Sequence, residues 1–358
     1  MYDLFISYAT TDGLTLARAV FEMLRKKYLL DIFMADEEAR TGESLDNIVR
    51  SAITESKQLL VLFTQSATES RWVKGEVAVA LNDNKRVITC RSHDVAMKAL
   101  PPRLEDEKQI VFTGVEDLLD SLEREEWGIP LIIPAAGKSG GLFPLNIGMP
   151  KILLPVGEKP ILHHIIDKLD SRVFSKVIIL TKQFSDTIGY YARFVKTDIP
   201  IKCIESPAST LPMALKMMSL EKPFVLHYSD IIIEGDFDWG DFLNHHKDYK
   251  RRFGVIGTLM ASANYKLPVG RIKKGRNQLI DRFIEKPDIE AGGNAINMAV
   301  SIFEPEFLDG IRSDDISLYG DSLKRALEID KKRFCIYDHD RWRHIQTLTD
   351  WYEAQNPF

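Results

Sequence analysis

Residues 59–76 read LLVLFTQSATESRWVKGE, which predicts a buried β-strand, a short loop and the start of a helix. The unbroken apolar run Leu59–Phe63 is typical of a strand covered on both faces. Ser70 is a suitable N-cap for the helix, on which Trp72 and Glu76 stand four residues apart on one face. An aromatic ring beside a carboxylate at a strand-to-helix edge suits a nucleotide cleft, because open parallel sheets bind ligands at the carboxyl ends of their strands.

The rest of the first half repeats this alternation of short strands and amphipathic helices, which predicts an α/β fold with a parallel sheet covered on both faces. Besides Leu59–Phe63, strands are predicted at Tyr2–Tyr8, Asp31–Met34, Arg86–Cys90 and Gln109–Phe112. Helices are predicted at Leu14–Lys27, Leu45–Ser56, Trp72–Leu81 and Val115–Glu123.

A charged segment punctuated by Gly128 and Pro130 separates two halves of the chain. We therefore predict one domain over residues 1–125, a linker over 126–130 and a second domain over 131–358. Strands of the second domain are predicted at Leu131–Pro134, Lys176–Leu180, Pro223–His227, Arg252–Met260 and Met298–Phe303, and helices at Ile161–Leu169 and Asp321–Glu328.

Composition argues against several classes of protein. The 358 residues are 45% hydrophobic and 28% charged, without an apolar run near the roughly 18–20 residues of a membrane span. A net charge of −5 argues against generic nucleic-acid binding, and we expect neither a nucleic-acid nor a membrane partner. The wide spacing of Cys90, Cys203 and Cys335 gives neither a disulfide framework nor a metal motif, so we expect a cytoplasmic protein.

Three segments of the first domain resemble, in order, the successive boxes of a TIR domain of the NAD⁺-cleaving type. They are Tyr2–Ala9, the stretch from Asp36 to Leu45, and the strand–helix segment 59–76. The resemblance implies a flavodoxin-like fold and assigns the catalytic carboxylate to Glu76. It also implies that the stretch from Asp36 to Ser44 is a mobile loop that shapes the pocket and contacts neighbouring TIR domains.

A single carboxylate suits the cleavage of NAD⁺. Breaking the bond between nicotinamide and ribose develops oxocarbenium charge on the sugar, which a nearby carboxylate stabilises, and more strongly where water is excluded. Nicotinamide leaves as a neutral molecule, so no general acid is required, and NAD⁺ is the substrate of a domain that needs no cofactor. The residues expected to bind NAD⁺ are Ser7, Tyr8, Phe33, Asp36, Ser44 and Trp72.

Other interpretations of these residues remain open. Glu76 could be a solvated carboxylate that complements the helix dipole. Trp72 could be a core residue or an interface anchor. The rings of Tyr8 and Phe33 suit a core at least as well as a ligand.

The second domain opens with a different motif, IIPAAGKSGGLFPL at residues 132–145, followed by Met149-Pro150-Lys151. Small residues after a buried strand let backbone N–H groups approach phosphates closely. The segment resembles the glycine-rich loop of sugar-1-phosphate nucleotidyltransferases, which implies a Rossmann-like, GT-A-like domain with a mixed sheet. Later landmarks of that family match here in order. The implied nucleotide- or sugar-binding residues are Gly137, Lys138, Ser139, Lys151, Asp230, Glu285, Lys286 and Asn297, with Asp230 as the metal ligand.

Three departures from the family pattern indicate a degenerate site. Gly141 stands where the family has its catalytic Arg, Ser209-Thr210 replaces a base-contacting Gly-Thr, and His344 replaces a metal-binding Asp. Phosphoryl-type transfer depends on positive charge and metal ions at the phosphate, and these changes remove support of both kinds. We therefore expect a pseudoenzyme that senses a nucleotide or nucleotide sugar, with Mg²⁺ as the metal that the resemblance implies. A still-active transferase and a protein-binding scaffold remain alternatives.

Taken together, the two resemblances predict an NAD⁺ glycohydrolase that is gated by homo-oligomerisation through TIR–TIR contacts and by a nucleotidyltransferase-like sensor domain. By analogy such a fusion belongs to prokaryotic anti-phage defence, with a nucleotide sugar or a protein as trigger. Hydrolysis and cyclisation of NAD⁺ use the same carboxylate, so the product is left open. The rival hypotheses are an active sugar-1-phosphate nucleotidyltransferase with an appended TIR domain, and a non-enzymatic TIR adaptor.

Overall fold

The computed structural model describes residues 2–28, 30–34, 43–123, 125, 127–137, 140–263, 271–284 and 295–355. The chain divides into two compact units, Met1–Trp127 and Gly128–Phe358. Trp127 is buried in the first unit, and the first strand of the second unit begins at Ile129.

The first unit is a parallel five-stranded sheet, as the alternating pattern predicted. Its strands are β1 (Tyr2–Ser7), β2 (Ile32–Met34), β3 (Ser56–Phe63), β4 (Arg86–Ser92) and β5 (Gln109–Phe112), in the spatial order β2-β1-β3-β4-β5. Its helices are α1 (Thr10–Tyr28), α2 (Glu43–Glu55), α3 (Gln65–Glu69), α4 (Arg71–Asn82), α5 (Pro102–Glu105) and α6 (Val115–Glu123).

Two apolar clusters cover the two faces of this sheet. Side chains of α1 and α6 pack on one face together with Trp127, and side chains of α2, α3 and α4 pack on the other. Because both faces of the sheet are covered, both sets of side chains on β3 are buried, and the strand is continuously apolar. A strand with one face in solvent would instead alternate apolar and polar residues. The helices cover the faces of the sheet but not the carboxyl ends of its strands, where polar side chains can lie together.

The second unit contains a mixed sheet, as predicted, which has nine strands among the described residues. The strands of the whole unit, including those of two smaller sheets, are β6 (Ile129–Pro134), β7 (Pro155–Val156), β8 (Lys159–Pro160), β9 (Phe174–Thr181), β10 (Ile201–Glu205), β11 (Phe224–His227), β12 (Ile231–Ile233), β13 (Gly257–Ser262), β14 (Arg271–Lys274), β15 (Ile280–Ile284), β16 (Ala295–Phe303), β17 (Phe334–Asp338) and β18 (Trp342–His344). Its helices are α7 (Ile161–Ile166), α8 (Ser185–Ala192), α9 (Leu211–Met217), α10 (Trp239–Phe253), α11 (Glu306–Asp309), α12 (Lys324–Ile329) and α13 (Leu348–Ala354).

The main path of this sheet is β10-β9-β6-β11-β16-β13-β17. The first four strands are parallel, β16 is antiparallel to both of its neighbours, and β13 and β17 are parallel. A separate two-stranded ribbon pairs β12 with β18 and places residues 342–344 beside the segment that follows β11. This ribbon contributes to the site described below.

Several predicted boundaries need correction. The predicted strand Arg252–Met260 begins only at Gly257, because Arg252 and Phe253 complete α10 and Gly254 ends that helix with φ of +68°. The first three residues of the helix predicted over Asp321–Glu328 belong to the π-helical segment Leu318–Leu323, and α12 begins at Lys324. Within the described residues, no helix combines the length and the apolarity that crossing a bilayer requires.

Candidate functional site

The first candidate site joins the end of β1 to the second turn of α4. Ser7 is the last residue of β1, and its hydroxyl donates a hydrogen bond of 2.5 Å to Oε2 of Glu76. Ser70 is the N-cap of α4, as predicted, and its side chain accepts from the backbone N–H of Val73. The cap fixes where the helix begins and therefore which residue of the second turn faces the sheet.

Glu76 is a buried acidic residue, only 4% exposed. Val73 and Val77 on the same helix are buried in the apolar cluster beside it. Burying a carboxylate in such surroundings costs free energy unless polar partners compensate, and the buried Ser7 hydroxyl is one such partner. Glu76 is therefore not the solvated helix residue that the simplest alternative supposed.

The other residues expected to bind NAD⁺ occupy different environments. Trp72, one turn before Glu76, is 42% exposed. Tyr8 is fully buried in the cluster beneath α1, and Phe33 stacks on Phe5 with ring centroids 5.3 Å apart. Asp36 and the side chain of Ser44 lie outside the described residues. The structure thus brings Ser7 and Glu76 together and shows Trp72 with an accessible ring.

The second candidate site is a cleft of about 730 Å³ in the second unit. Its wall includes Gly137 from the loop after β6, Lys151, the loop after β9, the start of α9 at Thr210, and Asp230 from the loop between β11 and β12. The cleft lies where several strands end, which is where α/β sheets bind ligands. Lys182, Phe184 and Gln346 also line it and were not singled out from the sequence as binding residues.

Lys151 and Asp230 form an ion pair within this cleft. Lys151 Nζ lies 2.6 Å from Asp230 Oδ2, and both side chains are 14% exposed. Burial alone would raise the pKa of Asp230, but a hydrogen bond with His344 and the positive charge of Lys151 outweigh it and hold the pKa well below its usual range. Asp230 therefore carries a negative charge across the physiological pH range.

Two buried oxygen atoms of the cleft have no hydrogen-bond partner within the described part of the chain. They are Asp230 Oδ1 and Thr210 Oγ1. Thr210 is the N-cap of α9, yet its hydroxyl makes no capping hydrogen bond. Buried polar atoms are normally hydrogen-bonded, so a ligand that supplies partners to both oxygens would gain free energy.

His344 occupies the position that the sequence assigned to a missing metal ligand. In the ribbon of β12 and β18, Ile231 is the register partner of His344, and the backbone N–H of Ile345 donates to the carbonyl oxygen of Asp230. His344 Nε2 consequently lies 3.5 Å from Asp230 Oδ2. His344, which the sequence analysis expects in the place of a metal-binding Asp, thus lies directly beside Asp230.

The surroundings of Gly141 exclude a side chain at that position. A Cβ atom on Gly141 would lie 2.6 Å from the carbonyl oxygen of Gln346 and 3.6 Å from Cα of Thr347. The segment before α13 therefore occupies the space that the first side-chain atom of an arginine would need. Any residue with a Cβ atom at position 141 would therefore require this backbone to shift.

Of the remaining residues expected in this site, one is described by the structure and four are not. Asn297 is 5% exposed in β16, where its Oδ1 accepts from the N–H of Ala299, and it is not among the described residues that line the cleft. Lys138, Ser139, Glu285 and Lys286 lie outside the described residues.

The donor set around Asp230 does not fit a divalent cation. Mg²⁺ favours oxygen ligands, and here a single carboxylate is accompanied by an ammonium and an imidazole on its Oδ2. In the described ranges, no group of three or more His, Cys, Asp or Glu side chains is placed to hold a metal ion. The chemistry that Asp230 can perform here is that of a buried hydrogen-bond acceptor.

Comparison with known proteins identifies both units. The nucleotidyl transferase family matches residues 130–357, and the TIR domain matches residues 4–124. The chain is 28% identical over 208 residues to the mannose-1-phosphate guanylyltransferase regulatory subunit alpha of Dictyostelium discoideum, covering 52% of this chain and 48% of that protein. It is 30% identical over 190 residues to the mannose-1-phosphate guanylyltransferase catalytic subunit beta of Danio rerio, covering 51% of each. The chain thus spans about half the length of the curated relatives it matches.

Solved structures agree on the fold of the second unit. A UDP-glucose pyrophosphorylase complexed with UDP-glucose superimposes with a TM-score of 0.54 at 15% identity, covering 64% of this chain and 97% of that one. The UDP-glucose pyrophosphorylase of Acinetobacter baumanii gives a TM-score of 0.53 at 13% identity, covering 64% and 92% of the two chains.

Proposed function

The chain belongs to the nucleotidyl transferase family and carries an N-terminal TIR domain, and from this premise we propose that the TIR domain cleaves NAD⁺ with Glu76 as its catalytic residue. The observation that carries the proposal is the buried Glu76 carboxylate, held by the Ser7 hydroxyl at the carboxyl end of β1. A carboxylate placed there stabilises the positive charge that develops on the ribose as nicotinamide leaves. Because burial keeps water away, its field is stronger than that of an exposed acid.

The roles of the neighbouring residues follow from their placement. Ser7 fixes the orientation of the carboxylate through the 2.5 Å hydrogen bond and is a positioning residue. Trp72 offers an exposed ring, one helical turn away, against which a nicotinamide or an adenine could stack. Tyr8 and Phe33 support β1 and β2 from the core side.

The activity is tested by incubating the full-length chain at high concentration with NAD⁺ and measuring free nicotinamide by chromatography. We expect nicotinamide release that Glu76→Ala abolishes. Absence of release by the wild type under every condition that assembles the protein would rule out the proposal. A TIR domain with no turnover but concentration-dependent self-association would instead support the adaptor hypothesis.

The C-terminal domain is proposed to bind a nucleotide or nucleotide sugar and to control the TIR domain through that binding. Its cleft contains the Lys151–Asp230 pair and two buried oxygens, Asp230 Oδ1 and Thr210 Oγ1, that have no hydrogen-bond partner in the described ranges. Ligand binding can control the first domain only if the ligand has different affinities for the assembled and dispersed states. A role in prokaryotic defence rests on analogy between domain fusions.

Sugar-nucleotide synthesis by the C-terminal domain is the second candidate, favoured by the retained Lys151–Asp230 pair and by relatives that are named mannose-1-phosphate guanylyltransferases. The blocked position at Gly141 and the imidazole of His344 beside Asp230 argue against it. Pyrophosphate release from GTP and mannose 1-phosphate in the presence of Mg²⁺ would establish this activity.

A further inference from the structure

We propose that the cleft of the C-terminal domain binds the phosphates of a nucleoside diphosphate sugar through protein cations, without a divalent metal ion. This inference rests on the ligand class proposed above and adds how that ligand is held. It depends on the Asp230 carboxylate, whose Oδ2 atom lies beside the side chains of both Lys151 and His344.

The geometry around Asp230 Oδ2 leaves that atom unsuited to a metal. The ammonium of Lys151 lies 2.6 Å from it and the imidazole of His344 lies 3.5 Å from it. A cation bound to the other oxygen, Oδ1, would sit close to the Lys151 ammonium and would be repelled by it in a largely desolvated environment. The second carboxylate that would offset this repulsion is replaced by His344.

The charges along the cleft favour an anionic ligand directly. Among the described residues that line it, the charged ones are Lys151, Lys182 and Asp230, so the cations outnumber the carboxylates. A diphosphate entering this cleft therefore meets positive charge without needing a metal ion to bridge it to the protein. Lysine binds phosphate as a point charge, which needs no fixed coordination geometry.

The buried Asp230 Oδ1 has a role in this arrangement as a hydrogen-bond acceptor. It lacks a partner within the described part of the chain, and so does Thr210 Oγ1, which lines the same cleft. A nucleoside diphosphate sugar carries hydroxyl groups that can donate to both oxygens, whereas inorganic phosphate at neutral pH offers far fewer donors. The cleft thus combines cations for the phosphates with an acceptor for a sugar hydroxyl.

The test has two measurements on the full-length chain, the first of which uses Mn²⁺ alone as the probe. Free Mn²⁺ is followed by electron paramagnetic resonance during titration of the wild type, Asp230→Asn, His344→Asp and the matched control His344→Asn. We expect the wild type, Asp230→Asn and His344→Asn to give the same signal, and His344→Asp to bind additional Mn²⁺ because it restores a second carboxylate. Mn²⁺ binding by the wild type that Asp230→Asn removes would overturn the proposal.

The second measurement is calorimetric titration with GDP-mannose and with UDP-glucose, in Mg²⁺ and in EDTA. We expect Kd values that agree within about twofold between the two buffers, since a bridging Mg²⁺ would otherwise add contacts to both phosphate and carboxylate. A loss of affinity of tenfold or more in EDTA would overturn the proposal. If neither nucleotide sugar binds in either buffer, both the ligand class of the proposed function and this inference are wrong. If a nucleotide sugar binds only in the presence of Mg²⁺, this inference alone is wrong.

Discussion

The hydroxyl of Ser7 donates a hydrogen bond to one oxygen of the Glu76 carboxylate. Both side chains are buried, so their mutual orientation is set by packing as well as by the hydrogen bond. We therefore expect different effects from substituting the residue that orients the carboxylate and from substituting residues that only stabilise the domain.

Ser7→Ala is expected to lower kcat for NAD⁺ cleavage about tenfold with KM nearly unchanged, because a hydrogen bond to a charged group contributes about 1.5 kcal/mol. Ser56→Ala is the matched control, since Ser56 is an equally buried serine of the same sheet whose hydroxyl donates to the carbonyl oxygen of Ala52. It should destabilise the domain by about 1 kcal/mol and leave kcat unchanged. Equal kcat losses in both variants would show that Ser7 acts only through stability.

Glu304 gives the second domain a predictable response to acid. Burial would raise its pKa, but hydrogen bonds and charge from His246 and Lys250 outweigh burial and lower the pKa to about 2. A carboxyl whose pKa is lower in the folded state stabilises the fold fully above its unfolded pKa, and this contribution is lost as pH falls from about 4.5 towards 2.

Glu304→Gln should therefore reduce the pH dependence of the unfolding free energy between pH 4.5 and 2, because the titrating group is removed. Denaturant unfolding at several pH values measures this slope. Glu306→Gln is the control, since Glu306 is an exposed carboxylate two residues away. An unchanged slope in Glu304→Gln would contradict the stabilising role of this buried network.

At the scale of elements, the segment before α13 places Gln346 in the wall of the second cleft. Thr347 caps α13 in a capping box with Asp350, and the indole N–H of Trp351 donates to the carbonyl oxygen of Pro155. These contacts hold Gln346 against Gly141. The absence of a side chain at position 141 is thus a condition for docking this terminal segment.

Gly141→Ala should lower the stability of the second domain by about 1–3 kcal/mol, because its Cβ would meet the Gln346 carbonyl oxygen at 2.6 Å and force the backbone to shift. Gly140→Ala is the matched control, since a Cβ there meets nothing within 4 Å. The midpoint of chemical unfolding compares the two. Equal midpoints would mean that the terminal segment moves aside easily. By the same reasoning, Gly141→Arg alone should not create transferase activity.

The sequence predicted the elements well where period and composition act locally, and poorly where distant segments meet. The apolar run Leu59–Phe63 and the cap at Ser70 are local signals, and both predictions are confirmed. The boundary at Gly254 was missed, because the polar, amphipathic α10 runs directly into an apolar strand. The approach of Gln346 to Gly141 depends on tertiary packing, which no local pattern encodes.

The same distinction applies to the site residues. The resemblance to the family marked Gly141 and His344 as departures from its pattern, because the pattern names the residue type expected at each position. The partnership of His344 with Asp230 required the pairing of β12 with β18. The Thr210 hydroxyl has no hydrogen-bond partner among the described residues, which could not be foreseen, since a threonine before a helix ordinarily caps it.

For the whole molecule, the proposed function combines NAD⁺ cleavage by the TIR domain with ligand binding by a second domain that has lost its transfer chemistry. If TIR assembly completes the NAD⁺ site, nicotinamide release per protomer should rise with protein concentration. A nucleoside diphosphate sugar should shift that dependence, because a ligand that prefers one assembly state changes its population. Sedimentation velocity on the same samples relates the rate to the degree of assembly. A rate per protomer that is constant across all assembly states would rule out this form of control.

The central claim, that the buried carboxylate of Glu76 cleaves NAD⁺, is tested most directly by comparing three full-length proteins at one high concentration. They are the wild type, Glu76→Gln, and Glu69→Gln, in which an exposed glutamate at the end of α3 is neutralised instead. The account predicts nicotinamide release by the wild type and Glu69→Gln at similar rates, and a rate at least about 100-fold lower for Glu76→Gln, the scale of losing one electrostatic contact to a transition state. Release by Glu76→Gln at the wild-type rate would contradict it.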